Sequence, residues 1–118
     1  MTDRAIGLAM RVHRRLGPCL LESAYHKCLC HKPARTGISF SQLVRLPIRY
    51  DDIEIGTGYF AGITVDDRVI LELKAVEHLT RLHEAQILTY LRISGYRMGV
   101  LINFNTLVLT GGIRRFVL

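Results

Sequence analysis

The segment at residues 69–76 constrains the fold more than any other part of the sequence. Its first three residues, Val69-Ile70-Leu71, are all apolar. Neighbouring residues of a strand point to opposite faces, so an unbroken apolar run predicts a strand that is covered above and below. We therefore expect a sheet with this strand at its centre and a helical layer packed against it.

The other patterns along the chain predict the helices and strands that surround this one. Thr80 is the expected N-cap of a helix that Gly95 ends, and pairs of aspartates at 51–52 and 66–67 are expected to form turns. The predicted elements are helices at residues 3–16 and 19–31, strands at 40–50, 53–65 and 69–76, a helix at 81–94, and strands at 98–104 and 113–117. This order, α-β-β-β-α-β-β with a second helical stretch near the start, predicts an α/β domain with a mixed sheet flanked by helices.

Length and composition favour a single domain over residues 1–118. The chain is 49% hydrophobic, which is enough to form a core without disulfides or a structural metal. No apolar run approaches the ~20 residues that span a bilayer, and the N-terminus lacks the layout of a signal peptide. We therefore expect a cytoplasmic protein with no membrane association and with Cys19, Cys28 and Cys30 as reduced thiols.

The charge of the chain is strongly positive. The formal net charge is +6, and 13 of the 16 basic residues are arginine. The forked guanidinium group suits phosphate oxygens, so a nucleic acid or another polyanion is the expected partner. A merely basic surface is the alternative.

Glu72 and Lys74 are the first candidates for chemistry. They lie two apart on the predicted central strand, so their side chains share a face. One interpretation is an exposed strand end with a surface ion pair. The other is a carboxylate that holds a divalent cation, because a charge buried in such a strand needs a partner or a metal.

Two helices carry further polar candidates. Gln86 and Tyr90 lie one turn apart on the predicted third helix, where they form either a solvated stripe or a support for a site. Glu22 begins the second helix, either as a favourable charge at the helix N-terminus or as a distal ligand. His26, Cys28, Cys30 and His31 lack the spacing of a zinc site.

Several blocks of the sequence resemble the GxxExxY family. They are Val12-His13-Arg14-Arg15-Leu16-Gly17-Pro18, Leu20-Leu21-Glu22-Ser23-Ala24-Tyr25, Gly58-Tyr59-Phe60-Ala61, residues 69–77, residues 83–91 and Leu101-Ile102-Asn103-Phe104. They follow the family order and together cover nearly the whole chain. That family is a branch of the PD-(D/E)XK nuclease superfamily, so the resemblance implies a PD-(D/E)XK nuclease-like core.

The resemblance also implies roles for particular residues. Glu72 and Glu22 would bind a Mg²⁺ or Mn²⁺ ion, with the Leu73 carbonyl as a further oxygen. Lys74 would be the lysine of the E-x-K pair. Gln86 and Tyr90 would match a glutamine–tyrosine element of RecB-like nucleases.

The chain departs from the family pattern at four positions. Cys19 stands where the motif has its glycine, Phe60 replaces an arginine, and Pro33 falls where a helix usually continues. Gly62 replaces the expected metal-binding aspartate and supplies no ligand, so the ion would be weakly held. Asp66 and Asp67, in a predicted turn, are too far along the strand to substitute for it.

Three functions follow from this reading. The first is a metal-dependent nuclease that hydrolyses DNA, weakened by Gly62. The second is a catalytically inactive relative that binds nucleic acid or a protein. The third is an interaction domain unrelated to nucleic acid. A homodimer is a further expectation, with residues 107–109 pairing as an edge strand.

Overall fold

The apolar run forms the central strand of a five-stranded mixed sheet, as predicted. The computed structural model describes residues 2–31, residue 38 and residues 40–118. Its elements are α1 (Thr2–Leu16), α2 (Glu22–Cys30), β1 (Phe40–Tyr50), β2 (Ile53–Val65), β3 (Val69–Lys74), α3 (Arg81–Ser94), β4 (Met98–Asn103), a 3₁₀ turn (Leu109–Gly112) and β5 (Ile113–Val117). The sheet order is β1-β2-β3-β4-β5. Only β3 and β4 are parallel; the other neighbours are antiparallel.

Helices cover both faces of β3, which explains its apolar composition. Leu71 and Leu73 belong to the larger core, which also contains Tyr25 from α2 and several residues of α1. Ile70 points the other way and packs with Tyr90 and Leu91 of α3. Because side chains alternate along a strand, Glu72 and Lys74 lie on the α3 face with Ile70.

The two aspartate pairs form the hairpin turns that join β1 to β2 and β2 to β3. Asp51 and Asp52 have φ values of 51° and 61°, and Asp66 and Asp67 have values of 49° and 53°. Turns with two such residues match the twist of antiparallel strands, and Asp tolerates this conformation better than most residues. The second turn precedes Val69, so it lies at the opposite end of β3 from Lys74.

Strand β2 leaves β3 early. Its register with β3 runs only from Val65–Val69 to Ile63–Leu71, whereas it stays paired with β1 as far as the hairpin tip. Two register shifts, opposite Leu46–Pro47 and opposite Ile48–Arg49, each place an extra residue in β2 and bend this hairpin. The regular β2–β3 pairing therefore ends just before Glu72, although Gly62 still packs against Leu71 and Glu72.

The predicted ends of α3 are confirmed. Thr80 and His83 form a reciprocal capping box, in which His83 N donates to Thr80 Oγ1 and Thr80 N donates to His83 Nδ1. Gly95 ends the helix with φ 79° and donates its amide to the Leu91 carbonyl. These ends place Gln86 and Tyr90 over β3.

The prediction of a strand at residues 107–109 is wrong. Leu107 lies in a bend, with 90% of its surface exposed, and the chain then enters the 3₁₀ turn. The bend follows from polar contacts, since Asn105 N donates to Asn103 Oδ1 and the Thr106 carbonyl accepts from His13 Nε2 at 2.7 Å. The segment therefore has no strand edge to offer a second copy.

The turn between α1 and α2 explains why α2 begins at Glu22 rather than at residue 19. Cys19 has φ 73°, the left-handed conformation that interrupts a helix. Tyr25 stabilises the turn, because its hydroxyl donates to the Gly17 carbonyl at 2.6 Å and accepts from Leu20 N. Its ring stacks on Phe104 at 4.4 Å. The predicted end of α2 at Pro33 and Gly37 lies outside the described residues.

Replacing Cys19 by glycine should stabilise the protein. A left-handed conformation costs a non-glycine residue roughly 1–2 kcal/mol, part of which is offset by the greater flexibility of unfolded glycine. We expect Cys19→Gly to raise the free energy of unfolding by about 0.5–1 kcal/mol in denaturant titrations. Cys19→Ala keeps the strain and should match the wild type, so equal stabilities of the Gly and Ala variants would contradict this account.

Candidate active site

Glu72 and Lys74 form a buried pair rather than a surface ion pair. Their side chains are 8% and 14% exposed, and Lys74 Nζ lies 3.5 Å from Glu72 Oε1. The interpretation as an exposed strand end is therefore wrong. The structure places both charges at the C-terminal end of β3, on the face that α3 covers.

Helix α3 holds Lys74 in position through two hydrogen bonds in series. Lys74 Nζ donates to Gln86 Oε1 at 2.7 Å, and Gln86 Nε2 donates to Tyr90 OH at 3.0 Å. The one-turn spacing of Gln86 and Tyr90 makes this relay possible. Both residues are thus connected to Lys74, and Tyr90 is buried, so the interpretation as a solvated stripe is wrong.

One oxygen of Glu72 has no partner. Oε2 is buried, and no hydrogen-bond donor among the described residues reaches it. Burial raises the pKa of the Glu72 carboxyl from 4.5 to about 7, against the lowering effect of Lys74. The nearby Gly62 backbone also lowers this pKa, but it does not satisfy Oε2. An unpartnered carboxylate oxygen is costly in this environment and ready to accept a ligand.

A second carboxylate approaches from α2. The charge of Glu22, which is exposed, raises the pKa of Glu72, so the two carboxylates are close enough to repel each other. Helix α2 is attached to the sheet here by His26, whose Nε2 donates to the Gly62 carbonyl at 2.9 Å. Glu22 and His26 are four residues apart and share a helix face. The sequence reasoning missed this role of His26, although that spacing is visible in the sequence.

The Leu73 carbonyl lies on the same side of β3 as Gly62. Lys74 O accepts from Phe104 N on the β4 side, and carbonyls alternate along a strand, so Leu73 O points to the β2 side. The β2–β3 register ends at Leu71. This carbonyl therefore lies beyond the end of the regular β2–β3 pairing.

Gly62 sits against β3 with no room for a side chain. A Cβ atom at this position would lie 2.9 Å from the Leu71 carbonyl oxygen and 3.7 Å from Glu72 Oε2. The position adjoins Glu72, as the sequence comparison implied, but the backbones are too close for an aspartate without a shift. The side chain of Phe60 lies outside the described residues.

A cleft on the α3 side leads to Lys74. Its volume is about 420 Å³, and Lys74, Gln86, Tyr90 and His83 line it together with Leu82, Ala85 and Thr89. The arrangement is an accessible amine beside a buried carboxylate, with a second carboxylate on α2. Such a set can bind a cation and a phosphate group side by side.

Comparison with known protein families identifies the superfamily to which the chain belongs. The family model described as the PD-(D/E)XK nuclease superfamily matches residues 1–116. The chain is a member of the PD-(D/E)XK nuclease superfamily. No curated protein and no solved structure gave a match. The superfamily assignment and its fold are thus confirmed, while the narrower GxxExxY motif stays a resemblance.

A divalent cation, which nucleases of the superfamily generally use, fits the donors beside Glu72. Magnesium is commonly held by one or two carboxylates together with water and substrate phosphates. The unpartnered Glu72 Oε2, the Glu22 carboxylate and the Leu73 carbonyl match that set. Within the described residues no cluster of three His, Cys, Asp or Glu side chains is found, so the set is smaller than a complete protein cage.

The raised pKa of Glu72 should make stability fall with pH. Between pH 4.5 and about 7 the folded state keeps a proton that the unfolded state has lost, so folding weakens as the pH rises through this window. Glu72→Gln removes this effect. In EDTA we expect the variant to match the wild type near pH 4.5 and to exceed it by roughly 2–3 kcal/mol at pH 8.

Denaturant titrations at several pH values measure this difference. Glu77→Gln is the control, because the Glu77 side chain is 91% exposed. A constant gap between Glu72→Gln and the wild type from pH 4.5 to pH 8 would rule out the raised pKa.

The tight space at Gly62 predicts that any side chain there destabilises the fold. Gly62→Ala should lower the free energy of unfolding by about 1–3 kcal/mol, because the Leu71 backbone cannot move freely. Gly7→Ala is the matched control, since a Cβ at Gly7 meets nothing within 4 Å. This helical change should stabilise by about 0.5–1 kcal/mol. An unchanged Gly62→Ala protein would show that β2 and β3 can separate.

Proposed function

We propose that this domain is a metal-dependent nuclease that hydrolyses phosphodiester bonds of DNA, with activity weakened by the absence of a carboxylate at position 62. The observation that carries the proposal is the buried, unpartnered Oε2 of Glu72 beside Lys74 and Glu22. A structural ion pair would need neither an unsatisfied oxygen nor an approaching second acid. Superfamily membership supports the same conclusion.

Each residue has a distinct part in the proposed reaction. Glu72 and Glu22 would bind the cation, with the Leu73 carbonyl as a third oxygen. When bound, the cation supplies Lewis-acid polarisation of the phosphate and favours hydroxide at neutral pH. Lys74 offers a positive charge to the attacking water or to the phosphate oxygens.

Gln86 and Tyr90 act through Lys74 and are positioning residues. Gln86 accepts from the Lys74 ammonium and donates to the Tyr90 hydroxyl. This relay holds the amine within 3.5 Å of the carboxylate. It keeps the amine from swinging into the cleft as a flexible lysine otherwise would.

The decisive experiment is cleavage of plasmid and oligonucleotide DNA in Mg²⁺ and in Mn²⁺. We expect slow cleavage that EDTA abolishes and that Glu72→Gln reduces at least about 100-fold, because the variant loses the central ligand. Glu77→Gln should cleave like the wild type. Intact DNA at high Mn²⁺, or equal cleavage by Glu72→Gln, would refute the nuclease proposal.

A second function, nucleic-acid binding without catalysis, is favoured by one observation. The closed space at Gly62 leaves no room for the missing aspartate. Gly62→Asp tests it against Gly62→Ala, which imposes the same steric strain without a ligand. If the site is only weakened, Gly62→Asp should cleave faster than Gly62→Ala. No cleavage by either variant or by the wild type would favour the binding function.

The cellular setting stays part of the proposal. No helix in the described part of the chain is long and apolar enough to cross a membrane. No disulfide joins Cys19, Cys28 and Cys30, and reduced thiols suit the cytoplasm that we propose as the location.

A further inference from the structure

A basic groove lies between α1 and α2, apart from the cleft at Lys74. Its volume is about 710 Å³, with buried Leu8 and Leu29 at its base. Its walls carry the exposed cations Arg11, Arg14, Arg15 and Lys27, and none of the described lining residues is acidic.

The positive charge of this groove is not neutralised within the described chain. The ion pairs found in the described chain are those of Lys74, His78 and Arg115. None of the four groove cations takes part in an ion pair. Four like charges facing one groove repel each other and call for an anionic occupant. The guanidinium groups favour phosphate oxygens in particular.

The groove lies at the same end of the sheet as the candidate active site. The second half of α1 is attached to the segment after β4, through His13 and Thr106 and through Cys19 N and Asn105 Oδ1. That segment follows Asn103, which pairs with Lys74. On α2, Lys27 lies about 7.5 Å along the helix axis from Glu22, a distance of one or two nucleotides.

We propose that this α1–α2 groove binds the sugar–phosphate backbone of the nucleic acid whose bond lies at Glu72. The inference rests on the proposed function, to which it adds the surface that holds the substrate. The arginines would contact phosphates and not base edges, so binding would not depend on the nucleotide sequence. Affinity should fall steeply with salt as counterions are released.

The test measures binding in EDTA, where no cleavage occurs. Fluorescence anisotropy with a labelled duplex and a labelled single strand gives the dissociation constant at several salt concentrations. The groove variant is Arg11→Gln/Arg14→Gln/Arg15→Gln. The charge-matched control is Arg68→Gln/Arg92→Gln/Arg97→Gln, at the end of the sheet where β3 and β4 begin.

We expect the groove variant to bind roughly 10- to 100-fold more weakly. The slope of log K against log salt should shrink by about 2 to 3, because each phosphate contact contributes about 0.9 on a duplex and 0.7 on a single strand. The control should change both quantities far less. Lys27→Gln changes one cation on the α2 wall of the groove and should lower the slope by about 1. Because it is a single substitution, it tests the groove even if the triple variant misfolds.

Equal losses in the groove and control variants would overturn the inference, because the net charge alone would then explain binding. Unchanged binding of the groove variant would overturn it too, and would point to an acidic apolar protein segment as the occupant. If the nuclease proposal alone fails, the wild type will not cleave DNA in Mn²⁺, but the groove variant will still bind DNA more weakly than the wild type in EDTA.

Discussion

The structure around the site depends on a carboxylate that is buried on the central strand. Removing the Glu72 carboxylate from water is unfavourable, and its attraction to Lys74 offsets only part of that free-energy cost. Lys74 could not do so alone, since a lysine in this position would otherwise turn toward solvent. The Gln86–Tyr90 relay holds it, and so the middle of α3 is coupled to the charged pair on β3.

The end of the regular β2–β3 pairing beside Glu72 has two opposite effects on the site. It leaves the Leu73 carbonyl without a paired strand residue, near the buried Glu72 carboxylate. At the same place the Gly62 backbone lies so close to Leu71 that a side chain does not fit. In the proposed site, the same local geometry thus presents the acids Glu72 and Glu22 and excludes a third at position 62. This combination explains why both a weakened nuclease and a binding protein are reasonable for this member of the superfamily.

Charge is divided between the two faces of the α2 helix. Its first turn directs an acid toward β3, while Lys27 faces the groove shared with the arginines of α1. In the proposed function, the cation and the nucleic-acid backbone would therefore use different side chains. The turn at Cys19 sets this arrangement, because it fixes the angle at which α2 leaves α1.

Much of the fold was determined by the sequence alone. The apolar run before Glu72 specified a central strand, paired aspartates specified the hairpins, and Thr80 with Gly95 specified the ends of α3, since these are local rules of backbone conformation and burial. The blocks that resemble known nucleases named Glu22, Glu72, Lys74, Gln86 and Tyr90. Local rules failed at residues 107–109, where contacts with Asn103 and His13 override an apolar pattern.

Only the tertiary structure decided whether those five side chains meet. Burial of Glu72, the bond from Lys74 to Gln86 and the approach of Glu22 depend on how helices far apart in the chain pack on one strand. The contact of His26 with Gly62, and the lack of space at that glycine, follow from how α2 and β3 pack against β2. No sequence periodicity encodes these distances, because they arise from packing between elements rather than within them.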